Sequence, residues 1–123
     1  MPIVLVDARN VLRSQWPNIP EQELVDRVRV WTAAEGVRAV IVFDGRAPEG
    51  VAGRVELDER CGLVGSRGES ADEWLIREAA RLREAGERFW LVTSDRALRA
   101  AAGEGAERTI GGGTFARQLP GAE

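Results

Sequence analysis

Three apolar runs, each closed by an aspartate, set the frame of this 123-residue chain. Ile3-Val4-Leu5-Val6 ends in Asp7, Ala39-Val40-Ile41-Val42-Phe43 ends in Asp44-Gly45, and Phe89-Trp90-Leu91-Val92-Thr93 ends in Ser94-Asp95. Short runs of this kind, rich in β-branched residues and lacking polar alternation, suit strands covered on both faces. Helices that could cover them lie between. Residues 21–35 place Leu24, Val28 and Trp31 at helical spacing before Gly36 stops the segment. Residues 70–85 put Ala71, Trp74, Leu75, Ala79 and Leu82 on one face, with a capping-box pattern at Ser70 and Glu73 and a stop at Gly86. Residues 97–102 read as a short helix, 107–110 as a short last strand and 115–119 as a terminal helical turn. Strands alternating with helices on short connections predict an α/β chain, a three-layer α/β/α fold with a mostly parallel central sheet. Residues 1–119 make one domain, and 120–123 are expected to fray.

Three stretches read as irregular. The residues before Glu21, including Trp16-Pro17, form a loop. Residues 45–68 hold six glycines and allow only a short strand around Leu63-Val64. Gly111-Gly112-Gly113 serves as a flexible connection or, alternatively, lets the backbone approach a phosphate.

In a sheet of this kind ligands bind beyond the carboxyl ends of the strands, near the reversal of strand order. Asp7, Asp44 and Asp95 would meet there. The chemistry open to them is narrowed by what the chain lacks: all 17 positive charges are arginines, and lysine, histidine and tyrosine are absent. That removes Ser-His-Asp and Cys-His nucleophiles, histidine-bound zinc, Schiff bases and the P-loop lysine. Cys61 stands alone, so no intrachain disulfide is possible, and without an activating neighbour it reads as a small semi-buried residue of a protein from a reducing compartment. The net charge of -3 makes any polyanion contact local. Met1-Pro2 passes directly into the first strand and the longest apolar run is 39–43, so neither a leader nor a membrane span is expected. A cytoplasmic monomer is.

Each acid has a structural use of its own: Asp95 can cap the next helix, Asp44 can shape a turn with Gly45, and Asp72 suits the first turn of a helix. Converging carboxylates, however, raise one another's pKa unless a cation neutralises them, and hard oxygen donors suit Mg²⁺ or Mn²⁺. Such an ion supports phosphate chemistry. Competing aspartate-based designs lack required residues. A receiver domain needs a lysine and an acidic pair, a haloacid-dehalogenase-type phosphatase needs an acid where Arg9 stands, and a dinucleotide site needs glycines where Ala8-Arg9-Asn10-Val11 stands.

Val6-Asp7-Ala8-Arg9-Asn10-Val11 with Trp16-Pro17, then Val42-Phe43-Asp44-Gly45, Glu69-Ser70-Ala71-Asp72-Glu73 and Val92-Thr93-Ser94-Asp95, together resemble the YacP-like branch of the NYN/PIN-like ribonucleases. The resemblance spans nearly the whole chain, including Gly105-Ala106 and Phe115-Ala116-Arg117-Gln118-Leu119. It implies a small PIN-like (NYN) fold and a metal-dependent endoribonuclease using Mg²⁺ or Mn²⁺. Asp7, Asp72 and Asp95 are then the metal-binding acids, Asn10 and Asp44 shape the site, and Glu69 is an outer acid. Ser94 and Thr93 orient Asp95 or a water, or Ser94 simply caps a helix. Two positions depart from the family pattern: Ala8-Arg9 replaces a glycine and an aromatic residue, and Gly45 replaces alanine. RNA contact falls to Arg9, Arg13, Arg46 and Arg67, with Trp16 either a stacking platform or a packing lid. The alternative is a catalytically inactive RNA- or protein-binding module of the same fold.

Overall fold

The computed structural model describes residues 1–121 and sets the first apolar run in the middle of a six-stranded sheet. In chain order the elements are β1 (Ile3–Asp7), α1 (Ala8–Arg13), α2 (Glu21–Glu35), β2 (Arg38–Phe43), β3 (Gly53–Glu56), β4 (Cys61–Gly65), α3 (Ala71–Glu84), β5 (Phe89–Val92), α4 (Arg96–Ala102), β6 (Arg108–Ile110) and α5 (Gly112–Gln118). The strand order is β3-β4-β2-β1-β5-β6. Only β3, on the edge beside β4, runs antiparallel. β1 pairs in parallel with β2 from Ile3↔Arg38 to Asp7↔Val42, and with β5 from Ile3↔Phe89 to Val6↔Val92. The chain leaves β1 toward β2 and returns to β5 on its other side. The switch point therefore lies between the ends of β1 and β5, where a parallel sheet opens its crevice.

Alternate residues of the strands feed two apolar layers. Val4, Val6, Ile41 and Phe43 pack with Val11 of α1, Leu24 and Val28 of α2 and Phe115 of α5. Leu5, Val40, Val42 and Leu91 pack with Leu75 and Leu82 of α3 and Leu98 of α4. The fold is thus the expected α/β/α sandwich, and each fully buried Leu or Phe contributes about 1.5–3 kcal/mol. Trp31 meets Phe115 edge-on at 5.0 Å and Trp90 at 6.4 Å. The capping box forms as read: Ser70 Oγ accepts from Glu73 N at 3.0 Å, and Ser70 N donates to Glu73 Oε1 at 3.1 Å. Cys61 is buried, and that burial pushes its thiol up to about 12, as suits an inert core residue. Among the described residues no helix is long and apolar enough to cross a membrane.

Three irregular readings are corrected. Residues 8–13 form α1 rather than loop, because β1 runs straight into a helix of under two turns, too short for an apolar period to show. Within 45–68, the short strand allowed around Leu63-Val64 is β4, and the correction is β3, which pairs beside it and completes the sheet. Gly65 of β4 is needed where it stands: a Cβ on it would lie 2.9 Å from both Ala47 N and Gly45 O and would strike the Val51 carbonyl. Gly112 and Gly113 are helical, so α5 starts three residues before the expected turn. Pro120 and Gly121 carry no regular structure, whereas the remainder of the expected frayed tail, Ala122 and Glu123, lies outside the described residues.

Candidate active site

Four carboxylates reach one cleft of about 220 Å³ at the carboxyl end of the sheet: Asp7, Asp44, Asp72 and Asp95. Asp7 is both the last residue of β1 and the residue from which α1 springs, and only 6% of it is exposed. Its Oδ2 accepts from Thr93 Oγ1 at 2.9 Å. The same Thr93 hydroxyl, fully buried just past β5, accepts from Asp95 N at 3.2 Å. One hydroxyl thus fixes the Asp7 side chain against the backbone that carries Asp95. Asp95 caps α4, its Oδ1 accepting from Leu98 N at 2.8 Å. Asp44 reaches across from the end of β2 to accept from Ala71 N, the first residue of α3, at 2.7 Å. Asp72, in the same first turn, makes no side-chain hydrogen bond among the described residues.

Burial and mutual repulsion dominate the electrostatics. Burial raises the Asp7 carboxyl above its ordinary 3.8, Thr93 and the Asn10 backbone pull it back, and the Asp72 and Asp95 charges push it further up. Asp72 is raised by burial and then by Asp95 and Asp44. These acids share one field in which each ionisation opposes the next. Among the described residues no three acids form a ready-made cage for an ion. The donor set nonetheless fits a small hard cation. Asp95 commits Oδ1 to Leu98 N and keeps its other oxygen, Asp72 commits neither, and Asp7 brings a buried carboxylate beside them, whereas Asp44 is engaged at both oxygens, by Ala71 N and Arg9; Mg²⁺ is held through one or two carboxylates while retaining waters.

Arg9 and Arg13, one helical turn apart on α1, complete the cleft wall, with Arg9 Nη1 3.5 Å from Asp44 Oδ2. Asn10 also faces the cleft, but its Oδ1 accepts from Ser94 N at 2.9 Å. Ser94 Oγ in turn accepts from Gly112 N at 2.8 Å. Asn10 and Ser94 therefore tie α1, the end of β5 and α5 together behind the acids. Ser94 does not cap α4, since Asp95 does, and it does not line the cleft. Glu69 is turned away, held by both Arg77 amino groups at 2.6 Å, which lower its carboxyl. Arg46 donates to the Gly50 carbonyl at 3.1 Å, and Arg67 lies over Gly53, so neither lines the cleft. Trp16 is 91% exposed, which removes the packing-lid reading.

Three supports escaped the sequence reading. Ser66 Oγ accepts from Gly45 N at 2.9 Å and donates to the Glu69 carbonyl at 2.7 Å, linking the end of β2 to the approach to α3. Arg99 Nε donates to the Thr93 carbonyl at 2.8 Å. Gly112 is the third: a Cβ there would collide with Asn10 Oδ1. None has a local signal, because each contact spans elements far apart or depends on a missing atom. Gly112→Ala is expected to cost about 1–3 kcal/mol in urea unfolding, typical of an overpacked contact, and to disturb the Asn10–Ser94 tie. Unchanged unfolding would mean that α5 shifts freely and the tie is not rigid.

A family model described as YacP-like NYN domain matches residues 4–111. The fold is similar to two crystal structures of Rae1 (YacP) from Bacillus subtilis. A tryptophan-to-leucine variant superposes with a TM-score of 0.71 at 23% identity, covering 96% of this chain and 74% of that one. The other structure gives 0.68 at 23% identity, covering 96% and 73%. No curated protein matches the sequence.

Proposed function

Because the chain belongs to the YacP-like NYN domain family, PIN-like domains of nuclease type, we propose that it is a metal-dependent endoribonuclease hydrolysing RNA phosphodiester bonds. The observation that carries this reading is the gathering of Asp7, Asp44, Asp72 and Asp95 on one cleft walled by Arg9 and Arg13. Asp7, Asp72 and Asp95 would hold Mg²⁺ or Mn²⁺, which when bound supplies charge stabilisation at the phosphoryl oxygens and a more acidic water. Thr93 holds Asp7 in place, and Asn10 and Ser94 keep the ends of β1 and β5 in register. Arg9 exchanges its long contact with Asp44 for a phosphate oxygen, and Arg13 takes a neighbouring phosphate; guanidinium groups suit such paired contacts. Trp16 offers an exposed ring for a base farther along the strand, with Arg46 and Arg67 as outlying phosphate contacts. The products would carry a 5′-phosphate and a 3′-hydroxyl. A cytoplasmic monomer, with its one thiol reduced, belongs to the same reading.

The alternative reading is a catalytically inactive RNA- or protein-binding module of the same fold. Incubating purified protein with labelled single-stranded and structured RNA in Mn²⁺, in Mg²⁺ and in EDTA separates the two. The nuclease reading expects cleavage with metal, none in EDTA, and 5′-phosphate ends. RNA bound but uncut under every metal condition would replace it by the binding module, and equal cutting of DNA would widen the substrate to nucleic acid generally.

A further inference from the structure

A second cavity, of about 100 Å³, opens beside the acidic cleft and shares Arg9, Arg13 and Asp44 with it, so the two form one groove. Its own walls differ in character. Leu12 and Phe43 make them apolar, while Asn18 and Glu21 stand as the polar groups. In the orientation that satisfies its neighbours, the Asn18 amide nitrogen donates to the Leu12 and Gln15 carbonyls at 3.1 and 2.5 Å. Glu21 makes no ion pair among the described residues, and its carboxylate can only accept when ionised. The cavity thus offers a small apolar wall, mainly Leu12, the Glu21 acceptor at the polar side, and two guanidinium groups at the junction with the acids.

We infer that this cavity is the base-selecting subsite of the groove, taking an unpaired guanine next to the phosphate held over the acidic cleft. The inference rests on the ribonuclease reading for its substrate, but its chemistry is separate. Unpaired bases are recognised by stacking and by hydrogen bonds to their Watson–Crick edges. Guanine presents two adjacent donors there, N1–H and the N2 amino group, which match one carboxylate. Adenine and cytosine pair a single amino donor with a ring acceptor, and uracil sets one donor between two carbonyls. Facing the Glu21 carboxylate, each of those three would leave an acceptor opposite an acceptor. Arg9, standing where the family's usual pattern has an aromatic ring, holds the phosphate at the entrance instead of stacking on the base.

The test is a titration of the ¹⁵N-labelled protein with GMP, AMP, CMP and UMP in Mg²⁺, followed by amide shifts, for the wild type and for Glu21→Gln. GMP is expected to saturate at a concentration about tenfold lower than the other three, the discrimination of one good two-bond base contact, with shifts at Leu12, Glu21 and Phe43. Glu21→Gln should erase that advantage while the weaker binding of UMP stays unchanged. Glu21 is exposed in the first turn of α2, so the variant should fold, and its melting temperature verifies this. Equal affinities for all four nucleotides, no binding of any, or a guanine advantage that survives Glu21→Gln would each overturn the subsite. GMP selectivity in a protein that cuts no RNA would keep the subsite and remove the nuclease, whereas RNA cleavage with random bases beside the cut would do the reverse.

Discussion

Asp7→Asn is expected to lower RNA cleavage by about three orders of magnitude, the loss that follows when several kcal/mol of transition-state stabilisation disappear, while making the metal-free protein more stable at neutral pH. The two effects have one cause. Asp7 is buried to 6% exposure at the end of the central strand, and its carboxyl is raised chiefly by that burial. An acid whose pKa is higher in the folded than in the unfolded state binds its proton more tightly when folded. Its ionisation therefore penalises the native state at pH values above the folded pKa. The penalty fades as the pH falls through that raised value toward the ordinary 3.8 and is gone below it. Asparagine removes the charge, and its side-chain oxygen can still accept from Thr93 Oγ1. Thermal unfolding in EDTA should accordingly show the variant ahead at pH 7 and level with the wild type near pH 3. A variant less stable at pH 7, or a gap that ignores pH, would show that Asp7 is not held there against its own desolvation. Mn²⁺ should close the gap from the other direction, raising the wild-type melting temperature and leaving the variant's unchanged, because a ligand stabilises the state that binds it.

The same buried charge explains which parts of this protein can be read from sequence. β1, β2 and β5 announce themselves because both faces of a parallel sheet must be apolar, and the aspartate that ends each run is where the apolar demand stops. α2 and α3 show through periodicity, stop glycines and, for α3, the Ser70–Glu73 box. α1 has too few residues to show a period, and β4 shows only as Leu63-Val64 because Gly62 and Gly65 flank that pair, Gly65 being dictated by close backbone neighbours rather than by strand preference. The acids of the cleft were legible as residues, and Asp95 also as the cap of the helix after it, but their long-range contacts were not. Nothing in the chain indicates that Asp44 would accept from the first N–H of α3, 27 residues later, or that Thr93 would bridge Asp7 and Asp95 N. Ser94 illustrates the limit well. A serine before a helix reads as a cap, yet the following aspartate takes the cap and leaves Ser94 to hold Gly112. The arginines divide in a similar way. Arg9 and Arg13 are carried into the cleft by a helix that periodicity does not reveal, while Arg46 and Arg67 stay with the glycine-rich turns around β3 and β4.

Asp95 performs its two tasks with different parts of one side chain, and two substitutions separate them. Its Oδ1 caps α4 through Leu98 N, while its charge raises the carboxyls of Asp7 and Asp72. Asp95→Asn retains an oxygen for the cap and removes the charge, whereas Asp95→Ala removes both. Cleavage should fall by about a hundredfold or more in either variant, in line with the loss of one well-placed charged group from a reacting centre. Stability should divide them. Asp95→Ala is expected to lose about 1 kcal/mol in urea unfolding, the usual cost of an aspartate cap replaced by alanine, and Asp95→Asn to lose little, since the repulsion it relieves at Asp7 and Asp72 offsets a weaker cap. With that charge gone, Asp7 and Asp72 ionise at lower pH, so Mn²⁺-dependent stabilisation should weaken in strength yet persist to more acidic solutions. Full activity in Asp95→Asn would reduce Asp95 to a helix cap and move the metal-binding burden to Asp7, Asp72 and Asp44.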